Sequence, residues 1–188
     1  MPRFRTAVLL IVALAVLAVT AQAGLAASRP AAVSTPAGIT AEANYLSGRS
    51  LTVVCASTSV EWRQALSANG LDPADADEYY GFSLIPQGEM YLSPYVCNGL
   101  QLGAAGVTAA NELQVAWSVD VLIHESTHLG KFTYNEALAE GCARAGLPAE
   151  LHRLFQVAYH SPQMRALTLD AAAFRNTQGA VYRGGTCT

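Results

Sequence analysis

The chain has 188 residues, of which 52% are hydrophobic and 13% are charged, and its formal net charge is −3 at neutral pH. This length suits a single domain with room for a sizeable core. The acidic balance argues against nucleic acid as a partner, because phosphate binding requires a basic face.

The N-terminal segment has the layout of a secretory signal peptide. Arg3 and Arg5 provide a positive start, an uncharged and largely apolar run follows, and the small-residue motifs AQA and LAA come next. This order predicts a signal peptide over residues 1–27. The alternative is an uncleaved membrane anchor, because about 20 apolar residues can span a bilayer. Both alternatives predict a secreted or extracytoplasmic protein, which contacts a membrane only if the segment stays uncleaved.

The rest of the chain is more acidic and is predicted to begin with a linker. Without Arg3 and Arg5, nine basic residues remain against fourteen acidic ones, a formal charge of about −5. Residues 28–44 contain Pro, Ser, Thr and Gly and have no apolar period, which is typical of a tether. We therefore predict a linker over 28–44 and one folded domain over 45–188.

The first part of this domain is predicted to contain short strands. A β-branched run within 50–58 predicts a strand, and residues 60–71 predict a short helix. The acidic turn over 72–78 is typical of a solvated loop. Two aromatic and aliphatic runs then flank the turn PQGE, which predicts an antiparallel hairpin of residues 80–85 with residues 90–95.

The second half of the chain is predicted to be helical. The first helix is the longest and ends at Gly130, a typical residue just past a helix end. Pro148 is expected to separate the second helix from the third, because proline disrupts a helix interior. The four predicted helices cover residues 108–130, 135–147, 148–160 and 161–174. Together with the hairpin they predict an α+β fold.

Four cysteines predict two disulfides. They are Cys55, Cys97, Cys142 and Cys187. An even number of cysteines in an exported chain is typical of a disulfide framework. Three pairings are possible, and the sequence alone does not choose among them. Our hypothesis is Cys55–Cys97 with Cys142–Cys187, which gives each half of the chain its own link.

The pattern HExxH, formed by His124, Glu125 and His128, indicates a metal site. Residues i and i+4 of a helix lie one turn apart on the same face. The two imidazoles can therefore bind one ion, with Glu125 beside them. Catalytic zinc usually takes a third protein ligand. The metzincins would supply a histidine six residues after His128, but that position is Tyr134, which closes that option.

The following segment NEALAE offers Glu136 and Glu140, which lie on one helix face. Alternative interpretations of both residues stay open. Thr133 and Glu136 could form a capping box at a helix start, and Glu140 could be an ordinary exposed residue. Cys142 lies about 120° around the helix from Glu136, so we assign it to a disulfide rather than to the metal.

HExxH followed by N-E-x-x-x-E resembles the gluzincin metallopeptidases, and EALAEGCA is similar to the pattern E-x-x-A-x-x-apolar-A of small bacterial HExxH peptidases. The resemblance implies a zinc site with the ligands His124, His128 and Glu136. It also implies that Glu125 is the general base and that Glu140 steadies a zinc-bound histidine.

The resemblance covers about residues 112–145 and has implications for fold and activity. It implies a zincin-like fold, in which a small antiparallel sheet packs on the HExxH helix and on a following glutamate helix, with C-terminal helices. It also implies an exported peptidase that cleaves peptide or protein substrates with a zinc-activated water. The alternative function is a non-catalytic secreted module with a structural zinc site.

Further roles near the metal are predicted for residues around the HExxH helix. An edge strand beside that helix would pair with extended substrate in a zincin, and Tyr91–Ser93 is the predicted edge. Asp120 is one turn before His124 and could bond the outward nitrogen of that histidine, although a solvated role is the alternative. Candidates for stabilising an oxyanion are Tyr134, His152, Tyr159, His160 and Tyr182.

Overall fold

The computed structural model describes residues 32–177 and 185–188. The predicted signal peptide and Tyr182 lie outside the described residues. None of the helices in these ranges combines the length and the apolar character that a membrane span requires.

The described ranges contain six helices and a three-stranded sheet, which confirms the α+β class. Two short 3₁₀ turns lie at Ala32–Ser34 and Pro73–Asp75. The strands are β1 (Thr52–Cys55), β2 (Gly81–Leu84) and β3 (Glu89–Leu92). The helices are α1 (Pro36–Ser47), α2 (Ser59–Ala68), α3 (Pro94–Ala105), α4 (Glu112–Lys131), α5 (Glu136–Phe155) and α6 (Pro162–Arg175).

The sheet is mixed, with β3 in the centre. β2 pairs with β3 antiparallel and places Phe82 opposite Tyr91, which confirms the predicted hairpin. β1 pairs with the other side of β3 in parallel and places Val54 opposite Tyr91. The prediction of an edge at Tyr91–Ser93 is therefore wrong, because a parallel partner distant in sequence covers β3. The edge strand that packs on α4 is β2.

Helix α4 is the centre of the domain. Every residue from Val115 to Leu129 is buried, and α1, α3, α5, α6 and β2 all pack on this helix. A helix surrounded on all sides normally carries apolar residues. The HExxH segment nevertheless lies in this stretch, so its polar side chains need partners inside the protein.

The predicted linker over 28–44 is wrong within the described residues, because Val33 is fully buried in the core and α1 begins at Pro36. The hydroxyl of Thr35 accepts the backbone N–H of Gly38 and caps the helix, with Pro36 in its first turn. Ile39 and Ala43 are fully buried. The helix has no clear apolar period because its buried residues are Ile39, Glu42 and Ala43, one of which is charged.

Helix α1 lies very close to α4 at Gly130. A Cβ at that position would be 2.8 Å from the carbonyl oxygen of Ser47. Gly130 therefore permits this approach, whereas the sequence predicted it as a helix stop. The helix ends instead after Lys131, and Phe132 adopts the left-handed conformation with φ 51°.

Two further boundaries differ from the prediction. Pro148 lies inside α5, which continues to Phe155, because Leu147 and Leu151 on either side of the proline are both buried in the core. Tertiary packing thus offsets the hydrogen bond that proline removes. Helix α3 is absent from the prediction, although Ser93 caps its start and Pro94 stands in its first turn, because the predicted hairpin extends to residue 95.

Both predicted disulfides are confirmed. Cys55–Cys97 joins β1 to α3, and Cys142–Cys187 joins α5 to the C-terminal segment. No other cysteine occurs in the chain. Because disulfides persist in oxidising compartments, the two bridges favour an environment outside the cytoplasm.

Candidate metal centre

A tight turn between α4 and α5 sets the geometry of the site. The backbone N–H groups of Phe132 and Thr133 both donate to the carbonyl of His128, which closes the end of α4. Asn135 then caps α5 by accepting the N–H of Leu138. Glu136 is consequently the first residue of α5, so the capping box between Thr133 and Glu136 does not form.

This turn brings three potential ligands together. His124 Nε2 lies 3.0 Å from both His128 Nε2 and Glu136 Oε2. His128 Nε2 lies 3.4 Å from Glu136 Oε1. One ligand atom from each residue lies within 4.8 Å of the other two, so the group could hold a metal ion.

Each imidazole is also held on the side away from this centre. His128 Nδ1 lies 2.7 Å from the carbonyl oxygen of Thr133, which accepts its N–H. His124 Nδ1 lies 3.5 Å from Glu140 Oε2. When Nδ1 carries the proton and donates it to such a partner, the lone pair of Nε2 is free to bind a metal ion, as in carboxylate–histidine–metal arrangements. Glu140 is buried, so the structure does not place it as an ordinary exposed residue.

Glu125 lies beside the three potential ligands and is held by strand β2. The Ser83 hydroxyl lies 2.7 Å from Glu125 Oε2 and donates to it. Gly81 allows this contact, because a Cβ there would be only 3.1 Å from Glu125 Cγ and from Val121 Cγ1. The carboxylate of Glu125 is thereby fixed between the edge strand and the histidines.

Asp120 belongs to a buried charged group behind the site. Its Oδ1 accepts a hydrogen bond from the Arg175 guanidinium, which also pairs with Glu140. Burial raises the pKa of Asp120 to about 6, although Arg175 acts in the opposite direction. The alternative of a solvated Asp120 is wrong, since this residue is 1% exposed.

The titration of the three potential ligands reflects their close approach. Burial lowers the pKa of His124 and His128, but the hydrogen bonds to Glu136 and the charge of Glu125 outweigh it, so both pKa values lie above 6.5. Burial raises the pKa of Glu136, but its bonds to the two imidazoles outweigh this effect and hold that pKa at about 2. Glu136 is therefore ionised at any ordinary pH.

A cleft of about 230 Å³ opens above these residues. Its acidic lining includes Glu78, Glu125 and Glu136, and its described lining contains no lysine or arginine. The remaining walls are mainly apolar or aromatic and include Leu71, Tyr79, Tyr80, Phe82, Ile85, Trp117 and Val121. The negative field of such a cleft favours a cation.

Of the candidates for an oxyanion role, Tyr134 lines this cleft. Its side chain is 72% exposed and extends from the turn between α4 and α5. His152 and Tyr159 instead contact each other, with ring centroids 4.4 Å apart, and neither they nor His160 line the cleft.

Two residues of the site were not found from the sequence. Ser83 lies in β2, whose four residues are all half-buried, so nothing in the strand selects this serine. Arg175 lies 35 residues beyond Glu140 and reaches the site only because α6 packs on α4 and α5. Neither contact has a local sequence signal.

Comparison of the chain with models of protein families, with curated proteins and with solved structures found no match.

The donor set fits a divalent metal. Two imidazole nitrogens and one carboxylate oxygen are the ligands of many catalytic zinc sites. The partners at the two Nδ1 atoms supply the outer contacts that such histidines normally have. Glu136 keeps 39% of its side-chain surface exposed, so the centre faces the cleft rather than being enclosed.

Proposed function

We propose that this protein is an exported, zinc-dependent peptidase with a zincin-like arrangement similar to that of minimal gluzincins. The observation that carries the proposal is the convergence of His124, His128 and Glu136 at the base of an open cleft, with Glu125 beside them. His124, His128 and Glu136 would hold the ion.

Zinc bound by such a set polarises a carbonyl group and lowers the pKa of its bound water toward neutrality. Glu125 would accept a proton during attack on the peptide carbonyl and transfer it to the leaving amine. Ser83 holds the Glu125 carboxylate in place for this role, at 2.7 Å. Among the oxyanion candidates that the structure describes, Tyr134 lines the cleft and would donate a hydrogen bond to the developing oxyanion.

Strand β2 supports a peptide as the substrate. Gly81, Phe82 and Ser83 line the cleft, and within the described ranges β2 pairs only with β3. An extended peptide could add to the other side of β2 by backbone hydrogen bonds. This arrangement would place its carbonyl groups along the cleft near Glu125.

A non-catalytic module with a structural zinc site is the second candidate. The hydrogen bond from the Ser83 hydroxyl to Glu125 Oε2 favours it, because a carboxylate that only braces β2 would make the same contact. The exposure of Glu136 to the cleft argues against it, since structural zinc sites are closed.

Metal content and cleavage of a broad peptide library together test the proposal. The wild-type protein should bind one zinc ion and cleave peptides. Glu125→Gln should keep the zinc and lose cleavage, whereas His124→Ala should lose both. Glu112→Gln, in the first turn of the same helix and outside the cleft lining, is the matched control and should change neither.

The outcomes separate the two candidates. Zinc without cleavage in the wild-type protein would reject the peptidase and leave the structural site. Cleavage that survives Glu125→Gln would reject the assigned base. A wild-type protein that binds no zinc would reject both candidates.

A further inference from the structure

Arg175 is the last residue of α6 and is almost completely buried, with 5% of its surface exposed. Its guanidinium pairs with Asp120 of α4 through one nitrogen and with Glu140 of α5 through another. One side chain thus joins the two helices that carry the potential metal ligands. Burying a guanidinium is unfavourable unless it is paired, so the two acids are what allow Arg175 to be buried here.

We propose that Arg175 is a positioning residue for the metal centre, acting through Glu140 on His124. Glu140 Oε1 pairs with Arg175 while Glu140 Oε2 lies 3.5 Å from His124 Nδ1. Arg175 therefore holds the Glu140 carboxylate in place, and that carboxylate in turn orients the His124 imidazole. This inference depends on the proposed metal site and does not depend on peptidase activity.

The two histidines are supported in different ways, and this difference makes the arginine necessary. His128 donates to the backbone carbonyl of Thr133, which is neutral and needs no counter-charge. His124 relies on Glu140, a carboxylate with 1% exposure. A buried carboxylate requires a cation or several donors to stay in place. Among the described residues, Arg175 is the arginine that pairs with the Glu140 carboxylate.

Arginine also suits the geometry better than lysine would. The two acids come from different helices, and the planar guanidinium has separate nitrogens that contact both at once. A lysine ammonium would keep the charge but would lose the fixed fork. Replacement by lysine should therefore preserve the fold and still loosen the support of His124.

Zinc affinity, measured by competition with a chromophoric chelator on purified protein with both disulfides formed, tests the proposal. The main variant is the pair Asp120→Asn with Arg175→Met, which removes one buried negative and one buried positive charge together. We expect a ten- to hundredfold loss of zinc affinity, the usual effect of removing an outer contact of a metal ligand. Arg175→Lys should give a smaller loss, of several-fold.

Two controls separate positioning from general structure. Arg153→Met removes another arginine that pairs with two acids, Glu42 and Glu150, away from the cleft, and should change zinc affinity less than twofold. In a Glu140→Gln background, the Asp120→Asn, Arg175→Met pair should cause no further loss, because its effect passes through Glu140.

Three results would overturn the inference: a folded pair variant with unchanged zinc affinity, an equal loss in Arg153→Met, or a fully additive loss in the Glu140→Gln background. If the pair variant fails to fold, the result for Arg175→Lys decides, and unchanged affinity there rejects the inference. A wild-type protein that binds no zinc rejects the metal site itself, which is a separate result.

Discussion

His124 and Glu136 lie on consecutive helices, and their side chains meet with Nε2 and Oε2 3.0 Å apart. The contact depends on the four residues between α4 and α5, in which Phe132 takes a left-handed conformation and Asn135 starts the next helix. Because Glu136 is the first residue of α5, its carboxylate faces back toward the last turns of α4.

In the proposed zinc site Glu136 is a ligand and Glu140 is an outer contact, and zinc affinity can distinguish these two roles. We expect Glu136→Gln to lower the affinity by more than the ten- to hundredfold typical of outer contacts, and Glu140→Gln to fall within that range. Chelator competition on both variants measures the difference. Equal losses, or a larger loss for Glu140→Gln, would contradict the assignment of Glu136 as the ligand.

Zinc affinity should fall as the pH falls. The pKa values of His124 and His128 lie above 6.5, while that of Glu136 is about 2. Protons therefore compete with the metal for the two imidazoles but not for Glu136. The decline should begin above pH 6.5 and approach a hundredfold per pH unit once both imidazoles are protonated, because each must lose one proton.

Affinities measured from pH 5.5 to 8, corrected for protonation of the chelator, check this dependence. A constant affinity over that range would show that the two imidazoles are not ligands. A decline that begins only well below pH 6.5 would show that Glu136 does not raise their pKa values.

The sequence predicted the site better than it predicted the fold around it. HExxH and NEALAE are local patterns on two consecutive helices: helix geometry places each pair of side chains on one face, and the short turn between the helices brings the two faces together. Strand β3 is central because β1 pairs with it in parallel. Thr52 of β1 lies opposite Glu89 of β3, 37 residues later in the chain, and no local pattern reveals such a distant partner. Burial of α1 depends likewise on the close approach of Ser47 to Gly130.

Helix α1 should contribute to stability as part of the core. Ile39 is fully buried, so Ile39→Ala should lower the free energy of unfolding by about 2–5 kcal/mol. Val60→Ala is the control, because Val60 is 61% exposed and should cost far less. Denaturant unfolding measures both. An Ile39→Ala protein as stable as the wild type would show that this stretch is a linker after all.

The two disulfides should differ in their effect on metal binding. Each closes a loop of similar length, with sequence separations of 42 and 45, so removing either should cost about 4 kcal/mol in the chain-entropy model. Only Cys142–Cys187 attaches to α5, two residues beyond Glu140. Replacing Cys142 and Cys187 with serine should therefore weaken zinc binding.

The matched control is the double replacement of Cys55 and Cys97, a bridge between β1 and α3. Unfolding measurements should show similar losses of stability, and zinc competition should show a loss only for the first pair. The same change in zinc affinity in both double variants would indicate a general loss of structure rather than local support of α5.

In the proposed peptidase, Ser83 should affect catalysis without affecting zinc binding. Its hydroxyl donates to Glu125 Oε2 at 2.7 Å, and hydrogen bonds to charged groups are typically worth about 1.5–3 kcal/mol. Ser83→Ala should therefore reduce kcat by roughly tenfold or more, because Glu125 is no longer held for proton transfer, while zinc affinity should stay within twofold of wild type. Ser83→Thr restores a hydroxyl and should recover much of kcat, and Ser67→Ala, on the exposed surface of α2, should have no effect. Loss of zinc together with kcat would instead assign Ser83 to the structure of the metal site, since the contact would then hold β2 against α4 rather than orient the base.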